Sequence, residues 1–187
     1  MLTHLDTRAF SSLWYWVLLS VAWTWVGRGA LGVPSELVAQ VRRQAPADGA
    51  ADAPSPESVL LLDWLSLAAP RWRIVPRDGM ALLAVACFVL SGLAMLGFGY
   101  GVEMAQALFL LAGPLAVLGV LRVRLAAQMR AILRQAEHGT LEIEEAAARA
   151  AQGMTRHHRQ VMALSVVAVG VTAVWGTLWM AAHPNGL

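Results

Sequence analysis

The chain contains no lysine. Its 14 basic residues are all arginine, set against 12 acidic ones, for a formal net charge of +2. So small an excess, gathered beside apolar segments rather than along one groove, argues against nucleic acid as a partner. Cysteine is nearly absent as well. Cys87 stands alone, so the chain forms no intramolecular disulfide, offers no paired-cysteine metal site and cannot by itself ligate an iron–sulfur cluster. Charge of either sign is scarce, at 14% of residues, where a soluble domain carries about 25%. Hydrophobic residues make up 58% of the sequence, and the mean hydropathy is +0.57. Much of the surface must therefore face lipid.

What is present is a set of apolar runs. A spanning helix needs about 20 mostly apolar residues. Four stretches approach that length: Phe10 to Gly27, Met80 to Phe98, Met104 to Leu121 and Val161 to Ala182. None has an ionisable residue in its central turns. Counted along the chain through the tails and connections, the arginines fall 1, 6, 0, 7, 0. By the positive-inside rule both long connections, residues 28–79 and 122–160, are cytoplasmic and both termini are periplasmic. The first stretch lacks a basic start and carries Trp14, Trp16, Trp23 and Trp25, so it reads as a span rather than a cleaved signal. The expectation is an all-α, single-domain (1–187) integral bundle of four transmembrane helices in a bacterial inner membrane, with interfacial helices and a cytoplasmic helical hairpin.

The connections have their own order. Pro34, Ser35 and Glu36 open a short helix whose Leu37, Val38 and Val41 share one face, as suits a helix lying on the membrane surface. Residues 45–56 are small, acidic and proline-rich, a flexible linker. Ser58 to Ala69 is too short to span and reads as a second interfacial or buried helix. Gly97, Gly99 and Gly101 suit a tight reversal between spans two and three. Beyond the third span, Leu125, Met129, Ile132, Leu133 and Ala136 repeat at helical spacing. Gly139 ends that helix and Thr140 caps the next, Leu141 to Gln152, with Glu142, Glu144 and Glu145 favoured by the dipole in its first turn. Gly153 closes it, completing a hairpin about 25 Å tall.

Candidate chemistry is sparse. His157 and His158 are adjacent, so on a helix they point about 100° apart and do not chelate one ion; they read as interfacial anchors beside Arg156 and Arg159. Glu103 reads as a helix start or partner contact, with a proton-relay role as the sharper alternative. Trp14 and Trp25 share one face of the first span, and Trp16 and Trp23 the opposite one; aromatic belts at the two interfaces explain the set, and contact with a quinone, pigment or partner helix is the sharper reading. Small residues at Ala84, Cys87, Ser91 and Ala94, and at Gly170, Ala173 and Thr177, mark helix contacts, by default internal. Arg122, Arg124, Arg130 and Arg134 form a basic patch for anionic lipid head groups or an acidic partner. No catalytic, metal or cofactor residues are assigned, and no enzyme activity is expected.

The phrases FSSLWYWVLLSVAW, LGVP and VRR, then LSGLAMLGFGYGVEMAQALFLLAGP, RHHRQ and VTAVWG resemble a proteobacterial four-span membrane family often labelled "component of SufBCD complex". The resemblance covers about two-fifths of the chain. It implies a membrane anchor or recruitment factor for iron–sulfur assembly, not the scaffold. The residues themselves point first to an accessory, non-catalytic subunit docking through its spans onto a larger photosynthetic or respiratory complex.

Overall fold

The computed structural model describes residues 9–10, 12–26, 31–44, 54–73 and 75–182. Six α-helices account for most of them: α1 (Leu13–Val26), α2 (Ser35–Gln44), α3 (Pro56–Ala68), α4 (Pro76–Ala94), α5 (Glu103–Glu137) and α6 (Ile143–Ala182). A short 3₁₀ turn, Ala69–Trp72, follows α3, and a π-helical turn, Met95–Gly99, extends α4. Among the described residues, three helical stretches are long and apolar enough to cross a membrane: Arg77–Gly99, α5 and α6. At 1.5 Å per residue α1 covers about 21 Å, short of a hydrocarbon core of about 30 Å. The expected end of the first span at Gly27, the tails and residues 45–53 of the expected linker lie outside the described residues.

The single domain expected from length divides into two compact units. One comprises residues 1–26, 75–118 and 162–187; the other comprises 27–74 and 119–161. The long helices α5 and α6 each contribute to both.

In the first unit, the core is small and aromatic. Phe10, Tyr15 and Ala107 are buried, with Trp16, Leu110, Trp175 and Trp179 packed around them. Phe10 and Tyr15 meet edge to face at 5.6 Å, as do Phe98 and Trp175 at 5.2 Å. Gly176 makes room for this cluster, since a Cβ there meets the Phe10 ring at 3.1 Å. The reversal between α4 and α5 uses its glycines in different ways. Only Gly101 has positive φ, at +73°. Gly97 lies within the π turn and is required by close approach: a Cβ there falls 2.8 Å from the backbone nitrogen of Gln106.

In the second unit, α2, α3 and the parts of α5 and α6 within it share one core. Leu37, Val41, Leu61, Leu65, Met129 and Met154 are its larger members, and Ala146, Ala147, Ala150 and Ala151 give α6 a small-residue face against which they pack. This corrects the reading of α2 as a membrane-surface helix. Its apolar face is covered by protein. The α3 helix starts at an N-cap, Ser55, whose hydroxyl accepts the Ser58 N–H, with Pro56 in its first turn. It buries Ser58, Leu61 and Leu65 along one stripe and leaves Val59, Leu60, Trp64 and Leu67 exposed opposite.

Two boundaries between the long helices also differ from expectation. Thr140 serves α5, not α6. Its N–H and hydroxyl both donate to Gln135 O, while Gly139, at φ +67°, donates to Ala136 O. This is a glycine-based C-terminal cap. Gly153 does not end a helix: α6 runs unbroken from Ile143 through the TRHHR segment to Ala182. A Cβ at Gly153 meets the Met129 methyl at 2.9 Å, so the glycine permits close packing of α6 on α5.

Candidate functional site

The second unit contains an open polar cleft of about 180 Å³. Leu121, Arg124, Leu125 and Gln128 of α5 line it, facing Gly153, Arg156, His157 and Gln160 of α6. Each set follows the i, i+3, i+4, i+7 spacing of one helix face. Arg124 and Arg156 thus stand beside the same space, each with a glutamine four residues on. His157 is 5% exposed. Burial lowers its pKa below the usual histidine value, and the positive charges of Arg122 and His158 lower it further. The lining therefore offers guanidinium and amide donors and a neutral imidazole. It contains no carboxylate, thiol or hydroxyl.

The four arginines expected to act as one patch make different contacts within the protein. Arg124 faces the cleft. Arg122 lies over the Trp72 ring, 5.8 Å from its centre. Arg130 reaches across to Ala69 O at 3.1 Å, capping the end of α3, and Arg134 donates to Arg130 O at 3.3 Å. Arg130 is thus a structural tie. Arg156 and His157, read from sequence as anchors, line the cleft together with Arg124.

Glu144 is a second tie in this unit. One carboxylate oxygen accepts the Ser55 N–H and the other accepts the Ser58 hydroxyl at 2.7 Å. Partial burial pushes its pKa up, but the hydrogen bonds from Ser55 and Ser58 outweigh this and hold it below the ordinary glutamate value. The acid expected to serve its own helix dipole therefore also fixes the start of α3.

In the first unit, the tryptophans fall as their angles require. Trp14 and Trp25 are 80% and 73% exposed, whereas Trp16 and Trp23 are half-buried. Trp16 Nε1 donates to Phe10 O at 3.0 Å. The Trp23 indole N–H is buried without an acceptor among the described residues. Glu103 accepts the Phe10 N–H at 2.6 Å, tying the segment before α1 to the start of α5.

The key polar residue here was not singled out from sequence. Gln106 is 1% exposed. Its amide nitrogen donates to Gly97 O at 2.8 Å, and its amide oxygen accepts the Trp175 indole N–H at 3.0 Å. One side chain thereby joins the end of α4, the start of α5 and α6. The π turn gives the reason. Tyr100 N–H and Val102 N–H bond to Met95 O and Leu96 O, and Gly97 O takes its partner from Gln106. Where lipid replaces water, such a carbonyl must be satisfied within the protein.

An apolar cleft of about 210 Å³ also lies in the first unit, lined by Phe109, Gly113 and Pro114 of α5 and by Leu164, Val167 and Val171 of α6, among others. The small-residue stripe of α4 does not pack internally as expected. Ala84, Cys87 and Ser91 are exposed. No family model, no curated protein and no solved structure matches the chain.

Proposed function

We propose that the chain is an accessory, non-catalytic subunit of a bacterial inner membrane that docks, chiefly through α4, onto a larger photosynthetic or respiratory complex. One observation carries the reading. Only 6% of the most apolar stretch within Arg77–Gly99 is buried inside the protein, against 22% for those of α5 and α6. Bulky Leu82, Val85 and Phe88 are exposed on α4, and so are Ala84, Cys87 and Ser91 of the small-residue stripe, with Ala94 half-buried. Bulky residues suit lipid. A stripe of small ones suits the close approach of another helix. With α1 as a fourth span, the arginine tally places both termini in the periplasm and the two long connections in the cytoplasm.

The test uses substitutions that fill the stripe. Ala84→Leu with Ser91→Leu is expected to release the chain from its complex during gentle purification from native membranes, with insertion intact. Co-migration of the variant with the complex, or migration of the wild-type chain as a lone small species, overturns the reading.

A second reading, a membrane anchor that recruits an assembly factor (for iron–sulfur clusters if the family resemblance holds), is favoured by the exposed apolar face of α3. Leu60→Glu with Leu67→Glu is its test. Charge reversal at Arg130 is unsuitable, because that residue holds α3 in place.

A further inference from the structure

We propose that the cleft between the α5 and α6 faces of the second unit is a phosphate-binding site, and that its ligand is the head-group phosphate of an anionic phospholipid. The cleft's volume of about 180 Å³ leaves room for a phosphate group, with the rest of its ligand extending out through the open side. Arg124 and Arg156 supply two guanidinium groups, the side chains best matched to phosphate oxygens. Neither is engaged in a hydrogen bond or ion pair among the described residues, in contrast to Arg122, Arg130 and Arg149. Gln128 and Gln160 add neutral amide donors that fix direction. Gly153 belongs to the same design, since a Cβ there would press on Met129 and the Gln128 amide.

The buried imidazole gives the site a further property. His157 is faced by Arg122 and Arg124 from α5 and is flanked by Arg156 and His158 on α6. Burial first, and then the charges of Arg122 and His158, disfavour its protonated form, and an anion in the cleft offsets the charge part.

The lipid source follows from position in the chain. The cleft-lining segment of α5 begins at Leu121, where the third apolar run ends, and that of α6 stops at Gln160, just before the fourth run begins. Helix ends of this kind lie at head-group level. This inference is independent of docking through α4.

Native mass spectrometry of the full chain, released from nanodiscs of phosphatidic acid, phosphatidylglycerol or phosphatidylcholine, tests it. The wild-type protein is expected to retain one anionic lipid and no phosphatidylcholine. Arg124→Gln with Arg156→Gln should weaken retention about 30-fold, with helicity unchanged by circular dichroism. Arg42→Gln with Arg43→Gln removes the same charge elsewhere in the unit and should change retention less than about 2-fold. Gln128→Leu with Gln160→Leu keeps the charge and should still weaken it. Displacement of the lipid by millimolar inorganic phosphate would support the phosphate site while assigning its source to solution. Undiminished retention in the Arg124/Arg156 variant, or equal loss in the Arg42/Arg43 variant, overturns the proposal.

Discussion

Replacing Gln106 by leucine is the most searching test of how the first unit holds together. The side chains are close in size, so the change removes hydrogen bonds with little change in packing. Two partners are left without their bonds: Gly97 O, within the π turn, and the Trp175 indole N–H. Side-chain hydrogen bonds between membrane helices are worth about 0.6 kcal/mol on average and up to about 1.7. Two of them, with both partners left in a site where Gln106 is 1% exposed, give an expected loss of about 1–3 kcal/mol. Equilibrium unfolding in mixed micelles measures that loss. The partition between partners comes from a double-mutant cycle. Trp175→Phe alone removes one donor and strands Gln106 Oε1, so the double variant should cost less than the sum of the singles by about 0.5–1.5 kcal/mol. A Gln106→Leu protein within about 0.3 kcal/mol of wild type, or strict additivity with Trp175→Phe, refutes the role assigned to this residue.

Gly97→Ala should destabilise by about 1–3 kcal/mol, because its methyl meets backbone atoms of Gln106 that cannot swing aside. Gly99→Ala should be milder, since its nearest neighbour is the Met95 sulfur at 3.3 Å, on a flexible side chain; parallel unfolding curves compare the two. Glu144 has a folded pKa below its unfolded value, so its contribution is present above the ordinary glutamate range and is lost as pH falls through the folded value. The hydrogen-exchange protection factors of the Ser55 and Glu57 to Val59 amides, corrected for the intrinsic pH dependence of exchange, should accordingly fall on acidification in the wild-type protein but change little with pH in Glu144→Gln. Brominated acyl chains should quench tryptophan fluorescence less in Trp14→Phe and Trp25→Phe than in Trp16→Phe; equal quenching in all three contradicts the exposed and half-buried faces of α1.

Apolar runs are the strongest signal a sequence carries, and the three helices long enough to span were legible from them. The start of α2 at Ser35 was legible from local chemistry, as was the stop at Gly139. Other features were hidden for definite physical reasons. The face of α2 carrying Leu37 and Val41 looks the same whether lipid or protein covers it, and only the tertiary structure shows which. Gly153 resembles a helix stop, but a glycine also permits a close crossing, and here that use prevails. The role of Gln106 depends on a carbonyl nine residues earlier and an indole on another helix, so no local pattern marks it. The cleft had a signal that went unread. Arg124–Gln128 and Arg156–Gln160 repeat one spacing on two helices.

The division into two interleaved units also sets an order of assembly. Leu61 and Leu65 of α3 are synthesised about 90 residues before Met154, which shares their core. At roughly 5–20 residues per second, that leaves the apolar stripe of α3 without its α6 partner for about 5–18 s during translation. Its early partner is α2, made just before it. The second unit therefore closes only after the ribosome has passed residue 161.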